Sequence, residues 1–138
     1  MIENDVITYL EADATLDTLL GPTATDSKFN PEFAPAGSTR PYVEFSVSPG
    51  VSEEILDEER IVFRVYADTK AAITNILERL KSLLDKQDEI QGLITSTNYY
   101  VYYSRLSYET LPDFTDVGNP KFVGVATLNI KIKRKTWY

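Results

Sequence analysis

Between Ile2 and Leu20 the apolar residues Ile2, Val6, Tyr9, Leu10, Leu16, Leu19 and Leu20 recur at close to a helical period, and Gly21-Pro22 ends the run as helix ends commonly do. The period slips near Asp13, a side chain suited to cap a second short turn starting at Thr15. Residues 21–41 hold Gly21, Pro22, Pro31, Pro35, Gly37 and Pro41, and read as a loop with a short extended piece at Lys28-Phe29. From Tyr42 the spacing changes to alternation: Val43, Phe45 and Val47 share one side, Tyr42, Glu44 and Ser46 the other, as in a half-buried strand that ends at Pro49-Gly50. A second alternating run, Ile61 to Ala67, puts Ile61, Phe63 and Val65 on one side and Val62, Arg64 and Tyr66 on the other. Between them lie Glu53, Glu54, Asp57, Glu58 and Glu59 around Ile55 and Leu56, so the pair predicts a long hairpin with an acidic tip.

Asp68 is then placed to cap a helix on which Ala72, Ile73, Ile76, Leu77, Leu80, Leu83 and Leu84 form one stripe, opposite Lys70, Asn75, Glu78, Arg79, Lys81 and Ser82. After Gly92, extended segments are expected from about Tyr99 to Tyr108 and from Phe122 to Lys133, joined by a turn-rich piece with Pro112, Gly118 and Pro120. In the last segment Phe122, Gly124, Ala126, Leu128, Ile130 and Ile132 share a parity opposite Val123, Val125, Thr127, Asn129, Lys131 and Lys133. The order helix, two strands, helix, two strands predicts an α+β fold. Its expected form is a mainly antiparallel sheet of four to five strands with an N-terminal helix and one long amphipathic helix packed on it. The whole chain, 1–138, reads as a single domain carrying an acidic hairpin loop at about 50–60.

Composition narrows the chemistry more than the fold. With 138 residues, 43% hydrophobic and 25% charged, the chain can bury a core without disulfides or metal. It has no cysteine and no histidine, which excludes thiol nucleophiles, Ser-His and Cys-His catalysis, zinc fingers and cysteine-held iron-sulfur sites. Carboxylate, lysine or tyrosine chemistry is left open, as is the absence of any chemistry. The six glycines are scattered and form no phosphate-binding loop, and no motif pairs titratable groups, so no catalytic, cofactor or metal residue is assigned and the chain is read as no enzyme. A net charge of −7 argues against nucleic acid as the main partner. The charge is uneven: residues 1–60 hold three basic residues against thirteen acidic ones, a balance of −10, whereas residues 61–138 hold eleven against eight, or +3. If the two parts reach opposite surfaces, copies would join head to tail. The acidic amino end lacks the pattern of a signal peptide, and no apolar stretch approaches a membrane span, so synthesis in the cytosol and no membrane partner are expected.

Three segments are candidates for contact with other molecules. The run Glu53, Glu54, Ile55, Leu56, Asp57, Glu58, Glu59 lacks the alternating ligands and the glycine turn of an oxygen cage for calcium, and fits a solvated tip whose two aliphatics anchor it on a neighbour. The strand with Tyr99, Tyr100, Tyr102 and Tyr103 puts aromatics on both faces, which suits either a surface strand or a subunit interface. The cationic end Lys133, Arg134 and Lys135 with Trp137 fits contact with an acidic neighbour or with DNA passing nearby.

Read in order, Leu19-Leu20-Gly21, Phe29-Asn30-Pro31, Ala34-Pro35-Ala36-Gly37, Arg40-Pro41-Tyr42-Val43-Glu44-Phe45, Phe63-Arg64-Val65-Tyr66-Ala67-Asp68 and Gly124-Val125-Ala126-Thr127-Leu128-Asn129-Ile130 resemble the tail terminator, or tail completion, proteins of long-tailed bacteriophages and their prophage relatives. The likeness spans nearly the whole chain and rests on packing motifs, while the Glu-rich insertion and Trp137-Tyr138 depart from the family pattern. The resemblance implies a hexameric ring that caps the head-proximal end of the tail tube, stops its polymerisation and offers a surface for head-tail joining. The implied partners are further copies, the tail tube protein and a head-side connector or stopper, with DNA only as passing cargo and the virion's tail neck as location. The acidic loop is the candidate for lining the channel, where repulsion lets DNA slide, or for touching the tube. A head-side neck or stopper protein is the alternative, and a carboxylate-based small-molecule enzyme or binding domain a further one.

Overall fold

The computed structural model describes residues 2–21, 28–35, 40–52, 56–113 and 121–135. Glu53, Glu54, Ile55, Trp137 and Tyr138 lie outside them, as do Pro22, Ala36-Gly37 and the turn around Gly118 and Pro120.

The apolar stripe after Asp68 forms a helix, Lys70–Leu84, whose Ile73, Ile76, Leu77, Leu80 and Leu84 are buried. Burial of such aliphatics stabilises by roughly 1.5–3 kcal/mol each, far more than helix propensity contributes. Its cap is Thr69 and not Asp68: the Thr69 hydroxyl accepts from the Ala72 N–H at 3.1 Å, leaving Asp68 exposed one position earlier. The N-terminal run is two helices, Glu3–Glu11 (α1) and Ala14–Leu20 (α2), so Lys70–Leu84 is α3. The break falls at Asp13, whose carboxylate caps α2 through the Leu16 N–H at 2.8 Å. Gly21, at φ +117°, turns the chain out of α2 in a conformation that side chains rarely adopt. In place of the expected N-terminal helix and one long amphipathic helix there are three helices of 9, 7 and 15 residues, the N-terminal run dividing in two and α3 being of ordinary length.

Five strands form one sheet: β1 (Phe29–Pro31), β2 (Tyr42–Ser52), β3 (Asp57–Tyr66), β4 (Tyr99–Asp113) and β5 (Lys121–Arg134), in the order β1-β2-β3-β5-β4. The sheet is mixed, which corrects the antiparallel expectation: β1 runs parallel to β2, Phe29 opposite Val43 and Pro31 opposite Phe45, while the other pairs are antiparallel. A strand of three residues covers only about 10 Å, so the short segment 32–41 suffices to carry the chain back to the start of β2. Pro49-Gly50 does not end β2; pairing continues to Ser52 through a register shift between Pro49 and Ser52, and β3 begins at Asp57. The acidic stretch read as a loop over 50–60 is therefore strand at both ends, with only residues 53–56 between.

Alternate residues of each strand build the core. Val43, Phe45, Ile61, Phe63, Val65, Leu106, Ala126, Leu128 and Ile130 face the helices and are buried with Val6, Leu10, Leu16 and Leu20. Helix α3 lies across β3, β4 and β5, and α1 and α2 pack beside it. Among the described residues, no helix covers the other face of the sheet.

Candidate interaction surface

The helix-free face carries Tyr42, Glu44 and Ser46 from β2, Glu58, Arg60, Val62, Arg64 and Tyr66 from β3, the odd-numbered residues 123–133 of β5, and Tyr103, Arg105, Ser107, Glu109 and Leu111 from β4, as the register dictates. Two corners of this face are built up from specific contacts.

At the β1 side, Glu44 is buried at 7% exposure on the strand face that alternation assigns to solvent. It is covered because it has partners: Arg64 Nε at 3.4 Å, the Tyr66 hydroxyl, and the Ala34 N–H at 2.7 Å. Arg64 also reaches Ser46 Oγ at 3.3 Å and the Glu32 carbonyl at 2.7 Å. Burial, then the Glu44 carboxylate beside it, pushes the Tyr66 phenol above its ordinary range. Tyr66 stacks on Tyr42 with ring centroids 5.1 Å apart, and the Arg40 guanidinium lies 5.5 Å from the Tyr66 centroid. This network fixes the turn 32–35 on the sheet, and on that turn Phe33 stands 78% exposed. None of these residues was a contact candidate in the sequence, though most lie in segments that carry the family resemblance; the signal available for a cluster was a carboxylate, a guanidinium and two tyrosines sharing the polar parity of two adjacent alternating strands.

At the β4 side, the tyrosines part company. Tyr99 packs against the core, while Tyr100 is half exposed, opposite Lys133 across the ladder. A register shift at Tyr102 lets Tyr100 and Tyr102 approach to 6.3 Å between ring centroids, and Lys131 Nζ lies 5.8 Å from the Tyr103 ring. Lys135 lies 5.1 Å from the Tyr100 centroid and also donates to the Ser96 carbonyl at 2.8 Å. The Ser96 hydroxyl donates to Asp5 Oδ2 of α1 at 2.8 Å. The cationic end is thereby tied to the molecule's own turn as well as being displayed. Tyr99, Tyr100, Tyr102, Gln91, Ile94 and Lys135 are among the residues lining a recess of about 360 Å³, and Leu93 is exposed next in sequence to two of them.

The acidic segment splits. Glu58 stands on the helix-free face opposite Lys131, whereas Glu59 has the core parity and turns under the start of α1. There its carboxylate lies beside the start of α1, a helix with no side-chain cap of its own, and its Oε2 is buried with no hydrogen-bond partner. Burial, then the Glu3 carboxylate, holds Glu59 above the usual carboxylate range. Glu59 is thus withdrawn from any acidic outer surface, while Leu56 is half-buried and Asp57 exposed. Among the described residues no group of three or more carboxylates is gathered to hold a metal ion, and no helix is long and apolar enough to cross a membrane.

The charge balance differs between the two layers. Helices α1 and α2 with their junction carry Glu3, Asp5, Glu11, Asp13 and Asp17 and no base, while α3 adds Lys70, Arg79 and Lys81 against Glu78, so the helix layer holds six acids against three bases. On the helix-free face Arg60, Arg64, Arg105, Lys131 and Lys133 outnumber Glu44, Glu58 and Glu109.

No protein-family model and no curated protein matches the chain. Among solved structures, a chain from the virion of a native gene transfer agent (GTA) particle aligns over 93% of this chain and 91% of its own, with a TM-score of 0.60 and 14% identity. At that identity the likeness shows a shared fold, end to end.

Proposed function

We propose that this chain is a virion structural protein of the tail-terminator type. Copies close into a six-fold ring on the head-proximal end of the tail tube, halt tube growth, and present their other side to the head-side connector while DNA passes through the centre. The role is structural and not catalytic, and its place is the neck end of the tail.

The observation that carries this reading is the end-to-end likeness in fold to a chain of a gene transfer agent virion. The order of segments that resembles the terminator family supports the same assignment, and the contrast between the acidic α1–α2 side and the more cationic sheet face offers two chemically different sides for two different partners.

Size-exclusion chromatography with light scattering, followed by negative-stain imaging after mixing with tail tubes, tests it. Rings seated on one end of the tubes are expected. A monomer that leaves the tubes bare at both ends would overturn the proposal, and binding confined to a head-side connector would replace it with the stopper reading.

A further inference from the structure

Phe33 is an exposed aromatic on an immobilised turn. The Glu32 N–H donates to the Phe45 carbonyl at 2.8 Å, the Phe33 N–H to the Pro31 carbonyl at 2.8 Å, and the Ala34 N–H to Glu44 Oε2 at 2.7 Å, while Arg64 holds the Glu32 carbonyl. Three successive backbone donors are satisfied, yet the side chain is 78% exposed. A rigid aromatic held in water this way is what an association hot spot needs, because little ordering entropy remains to be lost on binding.

A receptor for it lies on the same chain. Strands β1 and β4 are the two edges of the sheet, about 19 Å apart at four strand spacings. At the β4 edge is the recess lined by Ile94, Tyr99, Tyr100 and Tyr102 with Lys135 at its side, roomy enough for one aromatic ring. Charge matches as well: Glu32 is exposed beside Phe33, whereas Lys135 lines the recess and Lys133 and Arg134 pair with Tyr100 and Tyr99 at its wall.

We infer that Phe33 of one copy inserts into the Tyr99–Tyr102 recess of the next, with Glu32 meeting the lysines at its mouth. Knob and receptor sit on opposite edges, so the contact is heterologous and repeats head to tail, the kind of interface that closes into a ring. This names the contact between copies and rests on the ring assembly proposed above.

The test has two arms. Phe33→Ser should weaken self-association roughly tenfold or more in sedimentation velocity, with the melting temperature unchanged, since the side chain packs on little within its own copy. In the second arm a benzoylphenylalanine is placed at position 33, isotopically heavy and light copies are mixed, and crosslinks are mapped by mass spectrometry. Crosslinks to residues 91–102 or Lys135 of the other copy are expected. Crosslinks elsewhere, none in assembled rings, or rings unweakened by Phe33→Ser overturn the contact while leaving the terminator reading standing. Wild-type protein that stays monomeric beside tail tubes overturns both.

Discussion

Asp13 serves two elements at once. Its carboxylate caps α2 and takes a two-pronged contact from Arg79 of α3, Nε to Oδ2 at 2.9 Å and Nη2 to Oδ1 at 2.6 Å. The Arg79 hydrogen bonds hold the Asp13 carboxyl below its ordinary 3.8, so its contribution to stability is present above 3.8 and is lost as pH falls through the lowered value. Asp13→Ala should cost about 2 kcal/mol and Asp13→Asn about half that, because asparagine keeps the cap and loses only the ion pair. Denaturant titration of both variants measures the split. Glu59 carries the opposite sign. Its native carboxyl sits above the ordinary 4.5 through burial and the nearby Glu3, so the folded state holds the proton more tightly and stability falls as pH rises from 4.5 through the raised value. Glu59→Gln should therefore raise the melting temperature at neutral pH and flatten the decline above 4.5 without touching the acid limb owed to Asp13. A variant that melts lower at neutral pH would show that the charged carboxylate at the start of α1 outweighs its burial.

At the scale of elements, α3 packs tightly on β5 at Gly124. A Cβ on Gly124 would stand 2.6 Å from Ile73 Cγ2 and 2.8 Å from Leu77 Cδ1, so Gly124→Ala should destabilise by about 1–3 kcal/mol through overpacking, read as a lower denaturant midpoint at unchanged slope. Strand β4 is an edge with a partial cover: Ser104 exchanges backbone hydrogen bonds with Gln87, the Leu106 N–H donates to Asp85 Oδ1 at 3.1 Å, and Gln91 reaches the Tyr102 carbonyl. Further along that edge Pro112, of the same parity, has no N–H to leave unpaired. Asp85→Ala should cost about 1 kcal/mol and speed hydrogen exchange at the Leu106 amide selectively. The helix α3 and the parity of β2, β3 and β5 were legible in sequence because each buries a continuous apolar side. Strand β1 was legible only as a short extended piece at Lys28-Phe29: it is held by pairing to β2 and by a single buried Phe29, and three residues carry no periodic signal that would fix its bounds or its partner. The run of β2 past Pro49-Gly50 was hidden for a related reason: a register shift accommodates residues that punctuate most strands.

For the whole molecule, the charge split at residue 60 of the sequence does not persist as a boundary between surfaces. Arg60 and Arg64 come from the acidic part of the chain or its border, yet alternation carries them onto the same face as Lys131 and Lys133, while Glu59 turns inward. The candidate contact residues are similarly redistributed: Glu58, Tyr100, Tyr103 and Lys133 share the helix-free face, whereas Tyr99 packs on the core and Lys135 bridges to Ser96. Phe33 and the Glu44–Arg64 pair went unmarked because their value lies in contacts between a turn and two strands that no spacing rule connects. The proposed function puts the chain at one place in an assembled particle, and cryo-electron microscopy of tailed particles assembled with this chain tests that placement. Six copies in one ring between the last layer of the tail tube and the head-side connector are expected; density for the chain in the capsid shell, along the tube, or at the distal tip would overturn the tail-terminator assignment.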